Sequence, residues 1–350
     1  MKILYGIQGT GHGHISRARE LLPKLCKGAN VDLLISGYNC ELSLERDIRY
    51  RKHGISMNYD SRGGISILET LRSLRPIRFI TDTQSIPIEE YDLVISDYEP
   101  VTAWAAKTKN VPSLALSHQA AFLSQATPRP KTRSRFAEAI LQHFAPTDHA
   151  IGFHFKTYDS FIEPPIIRSE IQKLSPSQAE HITVYLPAFD PNLLTTTFHR
   201  FDHYNWHIFS PSCNKYRKSK NVQVYPVSNQ IFLESFESCQ GVITSAGFEM
   251  CAESMYLGKK LLTIPIRNQY EQLCNAAAMK ELDVTVLHSI SDQLQELERW
   301  LASDRVVPLN NSADVENLVT DIFSLTKTKS PMPTFPPATR TKDYNLPSIF

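Results

Sequence analysis

Cysteine is sparse in this chain, and its spacing forms no pattern. The six cysteines, at 26, 40, 213, 239, 251 and 274, never form C-x-x-C. Cys26, Cys239, Cys251 and Cys274 fall on apolar positions of predicted helices, so buried thiols in a reducing compartment fit better than a disulfide framework. Long apolar runs are missing too: none approaches the roughly 20 residues of a membrane span. The start M-K-I-L-Y-G-I-Q enters a strand pattern without the apolar core of a signal peptide, so a cytoplasmic location is expected. Neither sign of charge is in excess. Lys+Arg 37 against Asp+Glu 36 leaves +1, which gives no electrostatic case for a nucleic-acid partner. The basic cluster R-P-K-T-R-S-R over 129–135 is short and Pro-interrupted. It reads first as a solvated loop, and a weaker alternative is contact with anionic substrate or lipid head groups, which leaves peripheral membrane contact open.

What is present is an alternation. At 350 residues the chain exceeds the usual single core, and 42% hydrophobic with 21% charged residues is ordinary for a globular protein, so two domains are expected. Residues 2–8 read as a strand covered on both faces, 9–22 as a glycine turn and helix, and 31–36 as a second strand. After an ambiguous stretch with helix-like segments at 41–52 and 65–74, strands are predicted at 91–97, 113–118 and 150–155, with helices at 101–108 and 135–144. Residues 156–175, with Pro164-Pro165 and little periodicity, read as a linker. The alternation then restarts, with strands at 182–188, 206–209, 222–226 and 284–288. Helices are expected at 192–201, 230–238, 292–302 and 313–325. The expected fold class is α/β, two doubly wound Rossmann-like domains across a cleft: 1–163, 164–325, and a loosely ordered tail 326–350.

The glycine turn G-T-G-H-G-H at 9–14 is not a dinucleotide fingerprint. That fingerprint needs glycine where His14 stands and an acidic residue where Ser36-Gly37-Tyr38 follows the second strand. A phosphate-binding P-loop fails because His12, not Lys-Ser/Thr, follows Gly11. The turn does put a histidine at a helix start, where the helix N-terminus favours the neutral, basic imidazole. Such a group suits removal of a proton from a substrate hydroxyl. The alternative is that His12 and His14 only cap a tight turn.

Residues 241–276 read as strand, small-residue turn, amphipathic helix, strand, polar loop and helix. Ser245-Ala246-Gly247 leaves room for a phosphate at a helix N-terminus. Glu253 follows within two turns, and Glu271-Gln272 open the next helix.

Together the two segments resemble the GT-B glycosyltransferases. G-H-G-H-I-S-R-A at 11–18 is similar to the histidine segment of the UDP-glycosyltransferases and to the G-G-T-G-G-H segment of the peptidoglycan N-acetylglucosaminyltransferase. A poorly characterised bacterial and archaeal group with a G-x-G-H-G-H-x-S-R start looks closer still. The match covers 2–22, 92–118 and 241–276, and the last block is the specific one.

The resemblance implies an acceptor-side first domain and a nucleotide-sugar-binding second domain. It implies His14 as general base, with Asp97 as the candidate to orient it. Gly11, Gly13, Ser245, Gly247 and Phe248 would serve the donor diphosphate, Glu253 its ribose hydroxyls, and Glu271 and Gln272 the sugar or phosphates. Tyr38, Glu99 and His118 would line the acceptor site, with Asn275 orienting a loop. Glu249 reads as an exposed helix charge. Capping of the helix near Val101 by Asp97 and Glu99 is an equally good account of those two.

The sequence departs from the family at three points. Ser245-Ala246 replaces a glycine pair, Lys260 stands where proline is frequent, and Leu186–Asp190 lacks the glycines expected after the first strand of the second domain.

The reading is an inverting, metal-independent transfer from a nucleotide sugar, UDP-linked by resemblance, to an acceptor hydroxyl. No D-x-D motif occurs in the chain, consistent with charge stabilisation by a helix dipole. No cofactor is expected, since the nucleotide sugar is a substrate. The acceptor (glycan, lipid-linked intermediate or small molecule) and the oligomeric state stay open. A non-hydrolysing nucleotide-sugar 2-epimerase and a non-catalytic nucleotide-sugar-binding protein are the rivals.

Overall fold

The computed structural model describes residues 1–9, 12–37, 46–55 and 75–325. Two sheets organise them. The first contains β1 (Lys2–Gln8), β2 (Asn30–Ser36), β3 (Tyr50–Lys52), β4 (Leu93–Asp97), β5 (Ser113–Ser117), β6 (His149–Phe153) and β7 (Ile162–Glu163), in the order β3-β2-β1-β4-β5-β6-β7. All its pairings are parallel. The second contains β8 (Ala179–Tyr185), β9 (Asn205–Ser210), β10 (Arg217–Ser219), β11 (Val222–Pro226), β12 (Cys239–Thr244), β13 (Lys260–Thr263) and β14 (Thr285–Val286). Its order is β10-β11-β9-β8-β12-β13-β14, parallel except where β10 pairs antiparallel with β11.

Each order changes direction beside its own first strand, between β1 and β4 and between β8 and β12. Such a switch point opens a crevice at the carboxyl ends of the strands, where ligands of open α/β sheets bind. The residues ending those strands are Gln8, Asp97, Tyr185 and Thr244.

The strands read as nearly continuous apolar runs because both faces are covered. On one face of the first sheet Ile3, Tyr5, Ile7, Leu33, Ile35 and Ile95 join Ile15, Leu21 and Leu25 of the helix His12–Gly28. On the other, Leu4, Leu34 and Val94 pack with Val101, Ala105 and Ala106 of the helix Pro100–Lys109. The alternation follows the two-residue period of a strand.

The first of these clusters also takes in Phe248, Cys251 and Met255 from the second half, together with Val315, Leu318 and Ile322 of the helix Val315–Leu325. That last helix lies against His12–Gly28, and a Cβ on Gly28 would stand 2.5 Å from Phe323. It belongs by contact to the first sheet, although it follows the second in sequence.

Several expectations change. The segment 156–175 carries β7 and the short helix Ser169–Gln172, because its backbone extends the first sheet by one strand. Cys239 opens β12, not a helix. The helix expected over 41–52 ends in the strand β3, and its earlier part, like 65–74, lies outside the described residues. The lysine-rich residues 215–220, read from the sequence as a turn, contain β10, whose Arg217 and Lys218 are exposed on a sheet edge, where charge discourages pairing with another chain. Arg129 of the basic cluster is structural: it donates to Phe122 O at 2.8 Å, Thr127 O at 2.7 Å and Glu138 Oε1 at 3.0 Å.

Candidate active site

His14 sits in the first turn of the helix His12–Gly28, and Asp97 is the last residue of β4. In register Asp97 lies beside Ile7 of β1, so the switch point brings the two side chains together. His14 Nδ1 and Asp97 Oδ1 are 2.7 Å apart, with His14 8% and Asp97 0% exposed. Arg17, one turn after His14, donates from Nε to Asp97 Oδ2 and from Nη2 to Oδ1, both at 2.9 Å. Burial opposes ionisation of Asp97, but Arg17 and His14 outweigh it and hold the carboxyl below the usual aspartate range. With Nδ1 committed to a carboxylate, Nε2 of a neutral His14 carries the free lone pair, as a general base requires. The chain turns sharply just after this pair: Tyr98 has φ 53°, rare for a side chain of that size, and its ring is held against Phe144 at 4.9 Å.

The turn before the helix Phe248–Tyr256 is built differently. Gly247 is the residue before the helix Phe248–Tyr256 and makes no side-chain cap to the first-turn N–H groups. A Cβ on Gly247 would meet a single atom within 4 Å, Ser245 Oγ at 3.9 Å. The turn therefore has room for an anion above a helix N-terminus. Phe248 is buried, its ring stacked on His118 at 3.9 Å and 6°.

Other expected site residues are already engaged by protein groups. Glu99 is wholly buried and accepts from Val101 N at 2.8 Å, Thr102 N at 2.7 Å, Thr102 Oγ1 at 2.7 Å and Ser36 Oγ at 2.6 Å. It caps the helix Pro100–Lys109, and an acceptor has no access to it; of the two residues that could have capped that helix, Glu99 does so and Asp97 does not. His118 is 1% exposed, with Nδ1 2.7 Å from Phe153 O and Nε2 2.8 Å from Asn275 Oδ1. It joins the two halves and does not line an acceptor pocket. Burial lowers its pKa against the pull of Glu271 and those oxygens.

Asn275 Nδ2 in turn donates to Ala246 O at 3.0 Å, which steadies the turn at 245–247. Glu271 accepts from Gln119 Nε2 at 3.0 Å, and Gln272 Oε1 accepts from Ile266 N at 2.8 Å. Glu253 is 2% exposed and accepts from Arg168 Nε at 2.5 Å and Nη2 at 2.8 Å. Burial raises its carboxyl pKa, and Arg168 works against that rise. Gly11 and Tyr38 lie outside the described residues.

The profile of glycosyl transferase family 1 matches residues 1–303. The chain belongs to that family. An uncharacterized glycosyltransferase of Methanosarcina acetivorans is 35% identical over 127 residues, covering 34% of this chain and 32% of that protein, so the match spans about a third of the relative's length. Among solved structures, the glycosyltransferase SsfS6 of Streptomyces sp. SF2575, complexed with thymidine diphosphate, aligns at TM-score 0.55 and 12% identity, over 93% of this chain and 99% of that one. A transferase from Siraitia grosvenorii in complex with UDP aligns at 0.53 and 14% identity, over 93% and 94%. These identities speak to the fold alone, which is the GT-B arrangement of two α/β halves.

In this member of the family, sequence reasoning missed Arg17, Arg168 and Glu249. Arg17 stands in the quoted motif, three residues after His14 and so on its helix face, which was the available signal. Glu249 is no free surface charge: its Oε1 accepts from Arg17 Nη1 at 3.0 Å. Its partner lies 232 residues away, a separation that no local pattern reveals. Lys259 and Lys260 are buried with their ammonium groups on backbone carbonyls. Lys259 donates to Ser177 O, Glu237 O and Cys239 O at 2.6–2.8 Å, and Lys260 to Leu301 O and Ser303 O at 2.9–3.1 Å. The departure at Lys260 is thus accommodated by packing.

Proposed function

We propose that the chain transfers a sugar from a nucleoside-diphosphate sugar to an acceptor hydroxyl in one inverting displacement that needs no metal ion. The observation that carries this reading is the buried His14–Asp97 pair at 2.7 Å, set at the first sheet's switch point. His14 Nε2 takes the acceptor's hydroxyl proton while that oxygen bonds to the anomeric carbon. The bond from that carbon to the diphosphate breaks on the opposite side, which inverts the centre. Asp97 holds the imidazolium as it forms. The negative charge gained by the diphosphate meets the uncapped N–H groups after Gly247.

UDP and dTDP are the first nucleotides to test, because similarly folded transferases hold them. In this reading residues 1–163 form the acceptor side and 164–325 the donor side, with the last helix returning to the first half. The enzyme works in the cytoplasm with no separate cofactor. Glu253 serves the ribose only after Arg168 releases it.

The test has two stages. A thermal-shift panel of UDP, GDP, dTDP, CMP and their sugars identifies the nucleotide, because a ligand selective for the folded state raises its melting temperature. Transfer by His14→Ala is then compared with wild type using the donor so found, and a loss of about 10²–10⁴-fold is expected. Unchanged turnover would remove His14 from the role of base. Binding without any transfer would favour the non-catalytic alternative.

A further inference from the structure

Arg17 is engaged on both sides of the cleft. Two of its nitrogens reach Asp97 at 2.9 Å each, and the third reaches Glu249 at 3.0 Å. Asp97 ends a strand of the first sheet, whereas Glu249 lies in the first turn of the donor-side helix. One planar guanidinium thus joins Asp97, the partner of His14, to the other half of the molecule. Its fork geometry matters here, because a lysine ammonium cannot span both carboxylates in fixed directions.

The approach of Glu249 is built into the backbone of the glycine turn. A Cβ on Gly13 would stand 2.4–2.6 Å from the carboxyl carbon and both carboxylate oxygens of Glu249. Glycine at 13 therefore leaves the space that this carboxylate fills, beside His14. Arg17 is 4% exposed and cannot shed its charge, so its burial depends on both carboxylates. The charged and titratable groups around His14 are then Asp97 and Arg17 directly, Glu249 across the cleft, and Tyr5, whose hydroxyl is 3.5 Å from Asp97 Oδ2.

We propose that Arg17 is a positioning residue that couples contact between the two halves to the state of the His14–Asp97 pair. With Glu249 docked over Gly13, Arg17 is pinned at one edge and holds Asp97, and through it the imidazole, in one orientation. With Glu249 withdrawn, the guanidinium loses a counter-charge, and its cation bears more strongly on Asp97 and His14. The pair is then set for proton abstraction when the donor-side helix is in place. This inference rests on the reading of His14 as the base, and adds a residue which that reading does not require.

The test is a double-mutant cycle read from the ring-nitrogen NMR shifts of the His14 imidazole at one fixed pH, which needs no turnover. Glu249→Gln keeps the shape over Gly13 and removes the charge. It is expected to move those shifts, as Asp97 and the imidazole lose the orientation that a pinned Arg17 gives them. In an Arg17→Gln background the same Glu249→Gln change is expected to move them by less than about half as much, because the coupling passes through Arg17. Equal shifts in the two backgrounds would overturn the proposal, since Glu249 would then act on His14 by distance alone. No shift from Glu249→Gln would overturn it as well. If Arg17→Gln fails to fold, Arg17→Lys replaces it in the cycle, keeping the cation without the fork. A non-additive cycle in a protein whose His14→Ala variant retains full transfer would uphold the coupling while rejecting His14 as base.

Discussion

At the scale of single residues, Asp97 and Glu99, two positions apart in sequence, show how burial and partners divide labour. Asp97 keeps its charge because Arg17 and His14 stabilise it, and its pKa is lowered despite burial. Glu99, equally buried, is held by neutral hydroxyl and N–H donors, and burial raises its pKa. Asp97→Asn should therefore cut transfer by about 10²–10⁴-fold, with a smaller change in donor KM, as steady-state kinetics would show. Glu99→Ala should leave the chemistry in place but cost about 2 kcal/mol in urea unfolding, from a lost cap and unpaired buried hydroxyls. The sign of the acid dependence follows from Asp97. Its depressed folded pKa gives stability that is present above the unfolded value of about 3.9 and is lost as pH falls through the folded one.

At the scale of elements, the helix Phe248–Tyr256 is the organising piece of the second half. Its N-terminus is left uncapped at Gly247, its Phe248 stacks on His118, and its Glu249 reaches Arg17. Behind it, the turn into β13 is anchored by Lys259, whose ammonium holds three carbonyls. Lys259→Met would leave those carbonyls without their donor in a buried place. A loss of about 3 kcal/mol is expected, measured as a shifted denaturation midpoint at unchanged m-value.

At the scale of the whole molecule, the two sheets meet through a few polar bridges and a shared apolar cluster. His118–Asn275, Gln119–Glu271 and Tyr270–Glu138 all cross from the first half to the helix Tyr270–Glu281. Outside that interface, His181 and His207 stack at 4.0 Å in the second sheet, and burial with its neighbour's charge pushes His207 down to about 4. Between pH 4 and the unfolded histidine value of about 6.5 the unfolded chain binds more protons there, so stability should fall as pH drops across that window. Chemical denaturation at a series of pH values should show this slope in wild type, and His207→Gln should flatten it.

The sequence by itself was enough for the two-fold α/β alternation and for most strand positions, and it marked His14, Asp97 and the Gly247 turn as candidates. Periodicity and turn chemistry are local, and a strand buried on both faces writes itself as an apolar run. Whether Asp97 meets the histidine or caps the next helix depended on the strand order, which pairs β4 with β1. The tertiary structure alone decided that Glu99 caps a helix, that His118 is enclosed between the halves, and that Arg168 holds Glu253. It also decided that Glu249 completes the environment of Arg17. Each of these is a contact between residues remote in sequence, and the energetic choice that made it, between solvent and a buried partner, exists only once the chain has folded.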